Sequence, residues 1–266
     1  MPPTLETLDH QFGPFRVPVS LCRPAPDAPM LLVLPALGVP ASRYQRLQDR
    51  LAAAGYGSAV TELPGTGASL PRPSRRADLG YSDLVHRFLP SLLERLAPPA
   101  AIVGHSIGGQ VATLAAREGL TGEARIVTVA AGHLHYRCWR GNMRLKVLGL
   151  AGLAWCSGHL LGYFPGRALG FGGREARGVM ADWATSVLSG HFPPEARPSV
   201  RSGRGPSLHL GISGDEFAPP AATARLASLL GGEVQHVELP RSAGNPHLNW
   251  LREPEAIVAA LQRWLQ

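Results

Sequence analysis

Apolar and polar positions alternate along this chain in two rhythms. Short, nearly solid apolar runs bounded by Gly or Pro read as buried strands, and stretches with apolar residues three and four apart read as helices packed on one face. MLLVLPALG (30–38) is such a strand, followed by the helical SRYQRLQDRLAAAG (42–55). YGSAVTELPG (56–65) and AAIVG (100–104) are further strands, with the amphipathic YSDLVHRFLPSLLERLA (81–97) between them. GGQVATLAAREG (108–119) is helical and ARIVTVAAG (124–132) extended. The alternation returns in SLHLGISGDE (207–216), AATARLASLLGG (221–232), EVQHVELP (233–240) and the terminal helix EPEAIVAALQRWLQ (253–266). Strands alternating with helices predict an α/β fold with a mostly parallel central sheet and flanking helices. The first thirty residues fit a leading antiparallel hairpin.

Residues 133–205 break the rhythm. Helical apolar patterns there are cut by Gly-rich turns, and the segment follows one strand and precedes another. It is expected to be an inserted helical cap, with 1–132 and 206–266 forming the core. Within it, VLGLAGLAWCSGHLLGYF (147–164) has no Asp, Glu, Lys or Arg. That length reaches the lower limit for spanning a bilayer. Gly152, Ser157, Gly158 and His159 inside the run predict two shorter helices instead.

Composition narrows the class. Hydrophobic residues make up 45% and charged residues 17% of 266, which suits a folded core and argues against disorder. The formal net charge of +7 is concentrated. Segment 133–205 holds ten Lys/Arg against three Asp/Glu, which leaves 16 of each elsewhere. No nucleic-acid motif accompanies that excess, so no nucleic-acid partner is expected. The arginines fit either a solvated face or a site that attracts an anionic group. Cys22, Cys138 and Cys156 lack disulfide or metal spacing and read as reduced thiols of a cytoplasmic protein. The N-terminus, MPPTLETLDHQF, does not read as a signal peptide.

The chemistry centres on AAIVGHSIGGQVATLAA (100–116). Gly104-His105-Ser106-Ile107-Gly108 fits G-x-S-x-G between a strand and a helix, a setting that exposes a serine on a sharp turn. The helix that follows directs free N–H groups and its positive end toward the serine. That favours negative charge developing as the serine attacks a carbonyl. A phosphate-binding loop would need a lysine at a spacing this stretch lacks.

On these residues and their setting, nearly the whole chain resembles the α/β-hydrolase superfamily, within it the serine hydrolases of the monoacylglycerol-lipase and serine aminopeptidase-like group. The resemblance implies a nucleophile–acid–histidine order. Ser106 is then the nucleophile. Among ten histidines, His247, in a loop between the last strand and last helix, takes the family's position for the base. Asp215, at a strand end in GISGDEFAPP, takes that of the acid, with Glu216 the close rival. His209 and His236 lie inside predicted strands and read as structural. His105 faces away from the turn.

The implied oxyanion hole uses the backbone N–H groups of Ile107 and Leu37. Here the chain departs from the family, carrying Pro35-Ala36-Leu37-Gly38 where His-Gly-x is common. TELPGTGAS (61–69), with Glu62 and Pro64, is a second departure and is expected to affect loop packing.

The expected function is cleavage of an ester or thioester of a lipophilic acyl substrate through a seryl acyl-enzyme, with no metal or organic cofactor. The alternative is a biosynthetic acyltransferase or cyclase, or a non-hydrolytic protein of the same fold. A serine nucleophile disfavours the aspartate-based dehalogenases and epoxide hydrolases. The segment 133–205 supplies Tyr136, Trp139, Trp155, Tyr163, Phe164, Phe171 and Trp183, and Trp139, Trp155 and Tyr163 are expected to bind substrate. Contact with a membrane surface is allowed by the composition but not expected. Oligomeric state is left open.

Overall fold

The computed structural model describes residues 4–170, 172–193, 206–240 and 244–266. Its centre is an eight-stranded sheet in the order β1-β2-β4-β3-β5-β6-β9-β10. β1 (Thr4–Phe12) and β2 (Phe15–Arg23) form the leading antiparallel hairpin, turned at Gly13 with φ +53°. β2 pairs antiparallel with β4 (Gly57–Thr61). From β4 onward every pairing is parallel, through β3 (Met30–Leu34), β5 (Ala101–His105), β6 (Arg125–Val129), β9 (Ser207–Ile212) and β10 (Glu233–Val237). β4, β5 and β9 are buried along their whole length. Parallel strands covered on both faces are mostly apolar, which is why they appear in the sequence as near-solid runs rather than alternations.

Helices cover both faces. α1 (Gln45–Ala53), preceded by a 3-10 turn at Ala41–Tyr44, packs with α9 (Glu255–Leu265) on one side. The other carries α2 (Tyr81–Asp83), a π-helical turn at Leu84–Phe88 and α3 (Leu89–Arg95), which run on as one helical stretch. α4 (Ile107–Arg117) packs beside them on that face. Burying one Leu or Val side chain of these layers contributes about 1.5–3 kcal/mol, so the sheet's apolar runs dominate the fold's stability.

Between β6 and β9 lies the segment expected to form a cap. α5 (Gly141–Leu161) and α6 (Arg177–Ser189) pack against each other, joined by a small ladder of β7 (Tyr163–Phe164) and β8 (Glu175–Ala176). The two short helices expected across 147–164 are a single 21-residue helix, α5, that ends only at Gly162 with φ +76°. Its internal glycines cost helix propensity, about 1 kcal/mol each. Packing of its inner face against α6 offsets that cost. No helix among the described residues is long and apolar enough to cross a membrane. Phe171 and residues 194–205, the end of the expected cap, lie outside the described residues. α7 (Pro220–Ala227) and α8 (Pro246–Asn249) complete the C-terminal part.

Candidate active site

Ser106 stands between β5 and α4 with φ +52° and ψ −116°, a backbone conformation that L-residues rarely adopt. The strain is held by close packing. A Cβ on Gly104 would lie 2.4 Å from the backbone of Gly109, and one on Gly108 would lie 2.3 Å from the Leu34 carbonyl oxygen. Neither contact is with a flexible side-chain end, so both positions require glycine. The Ser106 N–H donates to the Val129 carbonyl at 3.1 Å, which ties the turn to β6. Ala130, just past β6, is the other non-glycine residue at positive φ among the described residues, +49°. Sequence reasoning missed it, and it lines the cavity beside Ser106.

The structure brings Asp215 and His247 together. Asp215 follows β9 and is buried, and its Oδ2 accepts from His247 Nδ1 at 2.7 Å. Its Oδ1 accepts from the N–H groups of Phe217 (2.8 Å) and Ala218 (3.1 Å). A carboxylate with both oxygens engaged in a low-dielectric site is fixed in orientation. His247 is the second residue of α8, where the Asn245 side chain accepts from its N–H at 3.0 Å. The Phe217 ring packs at 5.4 Å from the imidazole. Glu216, the rival carboxylate, is exposed, and among the described residues only its backbone oxygen is engaged, accepting from the Trp139 indole N–H at 2.9 Å. The ion pair with His247 is made by Asp215.

Ser106 and His247 both line two cavities. The first, of about 260 Å³, extends under the insertion and is walled by Trp139, Val147, Leu150, Val179 and Trp183. Its polar floor is closed on itself: Tyr81 donates to Gln110 Oε1 at 2.6 Å, and the Gln110 amide donates to the Gly132 carbonyl at 2.8 Å. Burial holds the Tyr81 phenol well above its usual range, so it stays a neutral donor. The second cavity, about 320 Å³, lies on the other side of Leu37 and Phe217 and is reached by Arg43, Asn245 and Leu251.

Leu37 and Ile107, the expected oxyanion donors, line the first cavity with Ser106. Among the described residues, neither backbone N–H has an acceptor. The loop carrying Leu37 is braced from an unexpected direction. Glu62 is buried, and its carboxylate accepts from the N–H groups of Ala41 (3.0 Å) and Ala68 (2.9 Å). Burial raises its pKa. The departure at 61–69 is thus a buried clamp on the loop after β3.

The three expected substrate-binding aromatics separate. Trp139 lines the first cavity. Trp155 does not: it sits on the outer face of α5, 55% exposed and stacked on His159 at 4.2 Å between centroids. Tyr163 lies at a separate cavity behind Gly38, covered by the Arg174 guanidinium at 3.7 Å. Among the other histidines, His209 is buried in β9 with Nδ1 at 2.9 Å from Thr128 Oγ1, and burial lowers its pKa to about 4.

Among curated proteins the chain is similar to the magnesium-chelatase 30 kDa subunit of Rhodobacter capsulatus, 25% identical over 85% of this chain and 87% of that one. Solved structures with the same fold include a haloalkane dehalogenase loop variant from Bradyrhizobium elkanii, with TM-score 0.67 and 15% identity over 98% of this chain and 96% of that one. A carboxylesterase from Nitrososphaera gargenis superposes with TM-score 0.66 and 14% identity over 98% and 97%. The family model of the alpha/beta hydrolase family matches residues 31–260, and with the elbow, sheet order and strand-end carboxylate described above, the chain belongs to that family.

Proposed function

We propose that the protein is a serine hydrolase that cleaves an ester or thioester of a lipophilic acyl substrate through a seryl acyl-enzyme. One observation carries the reading: a buried Asp215–His247 pair at 2.7 Å opens onto the same apolar cavity as a serine on a strained strand–helix elbow. In this reading Ser106 Oγ attacks the substrate carbonyl carbon while His247 Nε2 takes the hydroxyl proton. Asp215 holds Nδ1–H, fixes the tautomer and stabilises the imidazolium. The tetrahedral oxyanion is received by the N–H groups of Leu37 and Ile107. Collapse expels the alcohol or thiol, which takes the proton from His247, and water then attacks the acyl-enzyme with His247 as base. The insertion 133–205 serves as the cap, and the cavity walled by Trp139, Val147 and Trp183 takes the acyl chain.

The second cavity favours a related reading. Space on the other side of Leu37 accommodates a sizeable leaving group, or an acceptor other than water, which would make the protein an acyltransferase or cyclase. The name of the Rhodobacter relative carries a third, a subunit of a magnesium chelatase.

Labelling by a fluorophosphonate probe tests the nucleophile. Wild type is expected to label, and Ser106→Ala to lose both labelling and about 10⁴–10⁶-fold in kcat. An unlabelled wild type with no esterase activity would favour the third reading. A p-nitrophenyl ester panel, run with and without a nucleophilic acceptor, separates hydrolysis from transfer by the product formed.

A further inference from the structure

α5 is apolar on both faces. Its inner side, Val147, Ala151, Ala154 and Gly158, is buried, as a packed helix requires. Its outer side carries Leu145, Leu153, Trp155 and Leu160, with Leu160 76% exposed. A solvated surface helix would be polar there, and a helix apolar all round is normally covered.

The charge around it is one-sided. Between Glu123 and Glu175 the chain has seven Arg or Lys and no Asp or Glu. Arg137, Arg140 and Lys146 at the start of α5 are exposed and form no ion pair with a described carboxylate. At its C-terminal end, the Arg75 guanidinium donates to the carbonyls of His159 and Leu160, and Arg76 is exposed beside it. The nearby acids are engaged elsewhere: Asp78 pairs with Arg177, and Asp182 accepts from the Tyr81 N–H. Glu216, across the cavity mouth, is the exposed exception.

We propose that the outer face of α5 docks the protein on an anionic lipid surface. Apolar side chains flanked at both ends by cations, with a tryptophan among them, match a bilayer interface, where leucines enter the acyl boundary and guanidiniums meet lipid phosphates. A second copy is a poorer occupant. A twofold contact brings the same patch against itself, so an antiparallel α5 pair sets the cations at the start of one helix against Arg75 and Arg76 of the other. The inner face of the same helix, through Met143, Val147 and Leu150, walls the cavity beside Ser106. The helix proposed to dock is thus also a wall of the cavity.

Flotation of the full chain with phosphatidylcholine vesicles, with and without phosphatidylglycerol, tests the proposal. The expected result is recovery with the anionic vesicles, weak recovery with the neutral ones, and release by salt. Leu153→Asp/Leu160→Asp is expected to abolish recovery while leaving the circular dichroism spectrum and fluorophosphonate labelling intact. Arg137→Glu/Arg140→Glu should weaken it by at least about fivefold per residue. Should the aspartate variant misfold, quenching of tryptophan emission by brominated lipid in wild type, lost in Trp155→Phe, reports the same contact. Absence of recovery on anionic vesicles overturns the proposal. So does undiminished recovery of a folded aspartate variant, or a concentration-dependent dimer without vesicle binding that Leu160→Asp dissociates.

Discussion

Replacing Asp215 by asparagine separates the role of its charge from that of its shape. Oδ1 is held by two backbone donors, Phe217 N–H at 2.8 Å and Ala218 N–H at 3.1 Å. In Asp215→Asn the amide oxygen must therefore keep that side, and the amide nitrogen takes the place of Oδ2, facing His247 Nδ1. An NH₂ group only donates, so Nδ1 must become an acceptor and the ring proton moves to Nε2. A histidine protonated at Nε2 cannot take the proton of Ser106. The expected loss is about 10⁴-fold in kcat, equivalent to about 5.5 kcal/mol of transition-state stabilisation. Folding should suffer less, by about 1–3 kcal/mol, because one charge-assisted hydrogen bond is exchanged for a neutral one. Steady-state hydrolysis of a p-nitrophenyl ester, paired with urea denaturation, reads both quantities. Glu216→Gln supplies the contrast: with no side-chain contact to His247, it should lose less than about tenfold. Asp215→Asn activity within tenfold of wild type, or an equal loss in Glu216→Gln, would refute the assignment of the acid.

Two further outcomes follow from the cavity and the core. Val147 is buried on the inner side of α5 and walls the cavity, so Val147→Phe should shift the ester preference to shorter chains. Long-chain kcat/KM should fall at least about tenfold relative to short-chain, and an unchanged profile would remove this cavity as the acyl site. His209 has a folded pKa of about 4 against an ordinary value near 6.5. The unfolded chain thus takes up its proton first on acidification. The stability this residue contributes is complete above pH 6.5 and is lost as pH falls toward 4, by at most about 3 kcal/mol. Glu62, Glu175 and Asp182, raised by burial, run the opposite way in the acid range. The test is therefore the difference in unfolding free energy between wild type and His209→Gln. That difference should shrink on acidification, and a constant gap would contradict the buried, neutral state of the ring.

Much of this arrangement was legible in the sequence because it depends on local rules. Gly104 and Gly108 flank Ser106 in a short pattern read directly from the chain, although the contact that requires Gly108 is with Leu34 of a neighbouring strand, and the solid apolar runs of the parallel strands reflect burial on both faces. The leading hairpin and the strand-end position of Asp215 are of the same kind. What escaped depends on contacts distant in the chain. Glu62 reads as a substituted turn residue until the fold brings Ala41 and Ala68 to its two oxygens. α5 appears interrupted because glycine lowers helix propensity, yet α6 packs along it and holds all 21 residues in one helix. Trp139 and Trp155 both read as aromatics of the segment 133–205. The fold separates them: Trp139, ahead of α5, is buried against the cavity, and Trp155, within α5, is 55% exposed.

His105 illustrates how such distant contacts could serve chemistry without touching substrate. Its Nε2 lies 2.9 Å from the His247 carbonyl and its Nδ1 2.7 Å from the Tyr44 hydroxyl, which in turn accepts from the Ala36 N–H at 2.8 Å. One tautomer satisfies all of these: Nε2–H donates to His247, Tyr44 O–H donates to Nδ1, and Ala36 N–H donates to Tyr44. The other would accept from the Trp250 indole N–H at 3.3 Å, but would leave the His247 carbonyl without this donor. Burial, with His247 nearby, lowers the His105 pKa well below its usual range, so the ring stays neutral, as Nδ1 must be to accept. The chain of bonds joins the loop that carries Leu37 to the backbone of His247 through the residue preceding Ser106. Displacement of the loop after β3 would strain the position of the imidazole, and the reverse. The residue at the second position of G-x-S-x-G thus acts here as a strut between the proposed oxyanion donors and the proposed base, and its polar atoms are hydrogen-bonded in a fully buried site.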